Sequence, residues 1–299
     1  MHRVFVTGGT GFVGRALIQA LRAEGHVVRC LVRRGSEPSL KGLEAIERVE
    51  GDVLARRTLN EAMSGCDAVI HLVGIIREHP ATAVTFERLH VDATVNVLAA
   101  ATTTGVRRVV HMSALGTRPN ARSRYHQTKW RAEEAVRSSG LDWTILRPSI
   151  IYGPGDDFVT MLARMVRRLP VVPVIGSGEA KLQPVPVSLV AGGFARALDQ
   201  ARSISQTYEI GGPDAYSLVE ILDLIALVLK RRKVRKVHLP LPLMRRVTFV
   251  LQSLPFFPVT TDQLLMLEED GTCDPMPFYR AFGLEPLSFK TGLERMLAP

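Results

Sequence analysis

Cysteine and aromatic side chains are scarce in this 299-residue chain, at 3 residues and 6% respectively. Cys30, Cys66 and Cys273 are scattered, odd in number and without the short spacing of a metal site or redox pair, so they read as reduced thiols of a cytosolic protein. Long apolar runs are missing too. The best candidate, Leu218 to Leu229, is broken by Glu220 and Asp223 and falls short of the roughly 18 residues that a membrane span needs. No two of His71, His90, His111 and His126 stand four apart on a helix beside an acid, so no metal is expected, and His71 and His111 read as hydrogen-bonded core histidines. A targeting peptide is not expected either, because His2 to Val6 already reads as a strand; the expected compartment is the cytoplasm. Acids are outnumbered, 29 against 38 lysines and arginines, but a net charge of +9 spread through an arginine-rich chain does not choose a partner.

What is present is an alternation of short β-branched runs with helical stripes, the sequence form of an α/β fold. Strands are expected at 3–7, 27–32, 47–51, 68–73, 108–113 and 142–146, with a helix over 86–103. This order predicts a Rossmann-type doubly wound parallel sheet in residues 1–154. After the Gly153-Pro154-Gly155 loop, residues 155–299 read as a smaller C-terminal substrate-binding or lid domain, able to return segments to the Rossmann core. There the spacing predicts a helix burying Phe158, Met161, Leu162, Met165, Val166 and Leu169, strands near 182–187 and 207–211, and a helix over 218–229.

The first strand runs into Thr7-Gly8-Gly9-Thr10-Gly11-Phe12-Val13-Gly14 and then directly into an apolar helix pattern. In that context Gly8 permits the tight turn, Gly11 lets the backbone approach a pyrophosphate, and Gly14 lets the helix pack closely. The helix start then offers free N–H groups and a positive dipole end to the phosphates. Where NAD-specific sites carry an acid after the second strand, this chain has Val32-Arg33-Arg34. A guanidinium suits a 2′-phosphate, so NADP(H) is preferred over NAD(H); the alternative is a pair of solvated loop arginines. Asp52, before Val53, can accept from an adenine amino group or cap the following helix, and the sequence leaves both open.

Taken together, TGGTGFVG from Thr7, GDV from Gly51, HLVG from His71, HMSAL from His111, YHQTK from Tyr125 and RPSIIYGPGDDF from Arg147 resemble the atypical or extended short-chain dehydrogenases/reductases, the NAD-dependent epimerase/dehydratase-like group. The HLVG, HMSALG and RPSIIYGP segments, with TTDQLLML from Thr260, are similar to the NADPH-binding accessory subunits of respiratory complex I and their bacterial relatives. The resemblance implies that Gly8, Gly11 and Gly14, with Thr10, Phe12 and Val13, hold the pyrophosphate. It further implies that Arg33 and Arg34 hold the adenosine phosphate, Asp52 and Val53 the adenine, Leu72, Val73 and Gly74 the ribose side, and Pro148, Ser149 and Ile150 the nicotinamide. His90 stands where the sugar-nucleotide enzymes have asparagine, Val73-Gly74 where they have alanines, and Val187-Ser188-Leu189 lacks their aspartate. A sugar-nucleotide substrate is therefore not implied.

Tyr125 and Lys129 are four residues apart and share a helix face. An ammonium beside a phenol favours phenolate, as a general acid/base requires. With Ser113 holding a substrate oxygen, the resemblance implies a Ser113, Tyr125, Lys129 catalytic set that moves hydride to or from a carbonyl or alcohol carbon of a small molecule. The rival reading is a redox-silent NADPH-binding accessory or assembly protein on a membrane respiratory or quinone-related complex. A basic run from Lys230 to Lys236 and the apolar stretch from Leu239 to Phe257 offer a peripheral contact with such a complex or with the inner face of a membrane; the plain alternative is a solvated helix end before a packed helix. No recognition motif points to nucleic acid.

Overall fold

The computed structural model describes residues 1–43, 45–230, 234–252 and 259–297. Apolar strands alternate with helices in its first half: β1 (Arg3–Thr7), α1 (Phe12–Ala23), β2 (Val27–Val32), β3 (Glu47–Glu50), α2 (Arg56–Met63), β4 (Ala68–His71), α3 (Ala93–Thr104), β5 (Arg108–Met112), α4 (Arg124–Arg137) and β6 (Asp142–Pro148). There follow β7 (Ile151–Tyr152), α5 (Phe158–Arg168), β8 (Val171–Ile175), β9 (Lys181–Leu182), β10 (Val185–Pro186), α6 (Val187–Ala197) and β11 (Gln206–Ile210). The chain ends with β12 (Tyr216–Ser217), α7 (Leu218–Val228), β13 (Arg235–Leu239), α8 (Leu241–Leu251), α9 (Thr261–Leu267), α10 (Met276–Phe282) and α11 (Phe289–Leu297).

Two compact units result: Met1–Pro148 with Val187–Ile210 and Met276–Glu285, and Ser149–Pro186 with Gly211–Pro275 and Pro286–Pro299. In the first, a seven-stranded sheet runs in the order β3-β2-β1-β4-β5-β6-β11, with every neighbouring pair parallel. The order reverses direction between β1 and β4, and at such a switch point an open α/β sheet has its crevice beyond the strands' carboxyl ends. Helix α1 buries Val13, Leu17, Ile18 and Leu21 and packs beside α6, while α2 packs beside α3. This is the Rossmann-type architecture that the alternation of periods predicts.

Several details differ from the sequence expectation. Strands expected to reach 51, 73 and 113 end at Glu50, His71 and Met112, and β6 continues to Pro148. The strand expected over 207–211 is β11, paired with β6 at the sheet edge; the Arg108 guanidinium bonds Thr144 Oγ1, Ser203 Oγ and the Ala197 carbonyl, tying this returning segment to β5 and β6. The helix expected from residue 86 opens as a wider π-helical turn, Glu87–Asp92, before α3 begins.

In the second unit, the segment expected as one strand near 182–187 is divided between β9 and β10. Its core gathers Tyr152, Leu162, Val166, Ile221, Ile225 and Phe289. Helix α5 buries Val159, Leu162, Ala163 and Val166, whereas Met161 and Leu169, expected inside, are 41% and 40% exposed. The apolar stripe was wide enough to rotate by one position, which places the small Ala163 inward. Residues 231–233 and 253–257 of the basic and apolar C-terminal stretch lie outside the described residues.

Candidate dinucleotide and catalytic site

The glycine turn closes β1 onto α1 through a bond from the Gly11 amide to the Gly8 carbonyl at 3.1 Å. Gly8 has φ +78°, a left-handed conformation that glycine adopts without strain. A Cβ on Gly14 would strike the Gly8 carbonyl oxygen and come within 2.6 Å of the Gly9 Cα, so the turn and the first helical turn are in contact only because that position has no side chain. Gly9, which sequence reasoning passed over, packs in the same way against Cys30 Sγ. A Cβ on Gly11 would meet only the Gly8 carbonyl oxygen, at 3.3 Å, and Gly11 itself is exposed. No side chain caps α1 and no acid lies in its first turn, so its opening N–H groups are left for an external acceptor. This cradle fits a diphosphate.

Around it lie the other expected positions of the first unit. Arg33 and Arg34 are exposed after β2, and among the described residues neither guanidinium has an ion-pair partner. Asp52 does not cap α2, whose N-cap is Ala55; its carboxylate accepts from the Leu54 amide at 2.8 Å in a local turn. The Val53 side chain is buried in the core, and its carbonyl accepts from Asn96 Nδ2. Leu72 is buried with its amide on the Thr7 carbonyl, Val73 is half-buried and Gly74 is exposed. The Pro148 carbonyl accepts from the Leu115 amide at 2.9 Å. Ser149 and Ile150 belong to the second unit, where Ser149 Oγ donates to the Gly271 carbonyl and the Ile150 carbonyl accepts from Val185.

Helix α4 is started by Ser123, whose hydroxyl accepts from the His126 amide, and it presents Tyr125 and Lys129 one turn apart. Lys129 is 2% exposed, and its ammonium donates to the Met112 carbonyl at the end of β5, 3.0 Å away, one residue before Ser113. Burial pushes its pKa down to about 8, against the opposing charge of Glu133. A Cβ on Gly74 would lie 3.0 Å from Lys129 Nζ, so the lysine also borders the loop after β4. Ser113 is buried, with its hydroxyl donating to Thr117 Oγ1 at 3.3 Å. The Tyr125 ring is held edge-on by Phe86, His90 and His126, with centroids 5.8, 5.3 and 5.1 Å away.

His90 is the residue the sequence reading undervalued. Set in the π-helical turn, it joins Nδ1 to Thr128 Oγ1 at 2.9 Å and meets the Ile75 backbone through Nε2. The ring thus meets Thr128 Oγ1 on one side and both the N–H and the carbonyl oxygen of Ile75 on the other, at 3.2 and 3.0 Å. Burial keeps the ring neutral by lowering its pKa, with the Lys129 charge acting in the same direction. His90 thus fixes both the loop beside Gly74 and the helix bearing Tyr125. The available signal was its replacement of the asparagine usual among the sugar-nucleotide enzymes.

His71 and His111 form a second departure from expectation. Thr7, His71 and His111 occupy one row across β1, β4 and β5, and the two imidazoles stack with centroids 5.5 Å apart. His71 Nδ1 bonds Thr7 Oγ1 at 2.6 Å, but its Nε2 and both nitrogens of His111 lack hydrogen-bond partners among the described residues. Burial pushes the His71 pKa down to about 3 and that of His111 well below its ordinary value. His111 is a core histidine without the hydrogen bond expected of it.

A parallel sheet with an uncapped glycine turn at its switch point, and a Tyr/Lys pair beside the fifth strand, defines the dinucleotide-binding class to which short-chain dehydrogenases/reductases belong. Comparison with known proteins narrows this. The chain belongs to the NAD dependent epimerase/dehydratase family, whose model matches residues 4–211. It is 32% identical over 277 residues to the mitochondrial NADH dehydrogenase [ubiquinone] 1 alpha subcomplex subunit 9 of Arabidopsis thaliana, a match covering 88% of this chain and 67% of that protein. It is also 37% identical over 173 residues to the ceramide reductase of Caulobacter vibrioides, covering 58% of this chain and about half, 53%, of the reductase. The UDP-glucose 4-epimerase of Thermotoga maritima shares the fold at a TM-score of 0.77 and 20% identity, over 99% of this chain and 97% of that one.

Proposed function

We propose that the chain is an NADP(H)-dependent oxidoreductase acting on a carbonyl or alcohol carbon of a small molecule. The observation that carries this reading is the anchoring of the Lys129 ammonium on the Met112 carbonyl, one residue before Ser113 and one helical turn from Tyr125. The nicotinamide, when bound, supplies or accepts the hydride. In the reducing direction Tyr125 gives its hydroxyl proton to the carbonyl oxygen, Ser113 donates a hydrogen bond to the same oxygen, and the Lys129 charge stabilises the phenolate left behind. Gly8, Thr10, Gly11, Phe12, Val13 and Gly14 hold the diphosphate. Asp52 and Val53 border the adenine, Leu72, Val73 and Gly74 the ribose, and Pro148 the nicotinamide. The exposed Arg33 and Arg34, without an ion-pair partner among the described residues and with no acid at the end of β2, favour a 2′-phosphate and hence NADP(H) over NAD(H). The likeness to a ceramide reductase supports a reductase.

Fluorescence titration with both nucleotides, followed by turnover of a panel of carbonyl compounds, tests the proposal. NADPH should bind more tightly than NADH, and Tyr125→Phe should lower turnover by about 10²- to 10⁴-fold while cofactor binding stays unchanged. Full activity in Tyr125→Phe would remove the catalytic assignment. A second reading, a redox-silent subunit or assembly protein of a respiratory complex, draws on the likeness to the Arabidopsis subunit over most of the chain. Tight NADPH binding by the wild type, with no oxidation by any acceptor including quinones, would favour that reading.

A further inference from the structure

Helix α8 is built inside out. Pro242, Leu243, Arg246, Phe249 and Val250 fall within one arc of its surface, and that arc faces solvent: Leu243 is 54%, Phe249 73% and Val250 71% exposed. Thr248, on the other side, is fully buried. Arg245, at the edge of the arc, is engaged by both carboxylate oxygens of Glu268, at 2.7 and 2.6 Å, which joins α8 to the residue capping α9. Arg246 stands at the centre of the apolar arc. In β13, which leads into α8, Arg235 and the 51% exposed Val237 alternate on one side of the strand. From Leu224 to Thr261 the sequence has no aspartate or glutamate and eight lysines and arginines.

We infer that the outward arc of α8 seats the protein on an anionic lipid surface, with Leu243, Phe249 and Val250 entering the headgroup boundary and Arg246 meeting lipid phosphates. The setting of the Arg246 charge among aliphatic and aromatic side chains matches an interface that is apolar below and negatively charged at its surface. A second copy of the chain fits less well. One face of an 11-residue helix offers on the order of 200 Å², well below the roughly 800 Å² per partner of a stable interface, and it would set Arg246 against a like-charged surface. The inference stands apart from the oxidoreductase reading, since it uses no residue of the cofactor or catalytic set.

Co-sedimentation of the full chain with vesicles tests it, comparing phosphatidylcholine alone with phosphatidylcholine containing phosphatidylglycerol. Binding is expected to the mixed vesicles and to fall with added salt. Arg246→Glu should weaken it roughly thirty-fold, the effect of changing two unit charges at the surface, and Phe249→Ser by roughly tenfold, with the melting temperature and the NADPH titration of both variants unchanged. Equal binding to both vesicle types, no binding to either, or indifference to both substitutions would overturn the inference. So would light scattering that shows a wild-type dimer converted to monomer by Phe249→Ser without any lipid effect.

Discussion

The two units break the usual sorting of side chains in opposite directions. In the first, polar and titratable groups are drawn inside: Lys129 is 2% exposed, and His71, His90 and His111 are each 1% exposed. In the second, large apolar side chains on α8 are turned outward. Scattered exposed apolar residues are ordinary, but burying a lysine and three imidazoles costs stability wherever their polar atoms lack partners among the described residues, as at His71 Nε2 and His111, and an apolar arc of one helix facing water invites a cover. The first exception surrounds the Tyr125 helix, and the second lies in the stretch free of acidic residues. On the two proposals above, each departure serves a different kind of partner, a small molecule in one unit and a surface in the other.

The sharpest way to break this contrast is through the glycine turn. Gly14→Ala should cost more than about 3 kcal/mol, because the added methyl meets backbone rather than a flexible side-chain end. Denaturant unfolding should show the loss, together with abolished nucleotide binding. A second effect, graded with pH, should appear with acid. His71, His90 and His111 have lowered pKa values in the fold, so the unfolded chain takes up their protons first, near the reference value of about 6.5. Stability is therefore complete above that pH and falls below it, by about 1.4 kcal/mol per pH unit for each imidazole still neutral in the fold. Both tryptophans, Trp130 and Trp143, belong to the first unit, so their fluorescence should report this acid loss directly. An unfolding midpoint unchanged between neutral pH and pH about 5.5 would contradict it. The smallest effect sharpens the other half of the comparison: Phe249→Ser, at a 73% exposed position, should leave unfolding free energy within about 0.5 kcal/mol of the wild type.

Much of the first unit was legible in the sequence because its signals are local. A strand, three glycines at fixed spacing and an apolar helix specify the turn by backbone sterics alone, and a spacing of four places Tyr125 and Lys129 on one face. The second unit was read less well. A broad apolar stripe on α5 left its rotation undetermined by one position, and the short β9 and β10 carry too few residues for a period to register.

The amino-acid sequence by itself determined the parallel α/β class, the glycine turn between β1 and α1 and the placing of Tyr125 and Lys129 one turn apart on α4. Only the tertiary structure decided that β11 returns to the sheet beside β6, that His71 and His111 stack in one row, that His90 joins Ile75 to Thr128, and which side of α8 is left uncovered. The physical reason is range. Backbone conformation is set by neighbours along the chain, whereas strand partners, buried hydrogen bonds and exposed faces depend on segments far apart in sequence that meet only after folding.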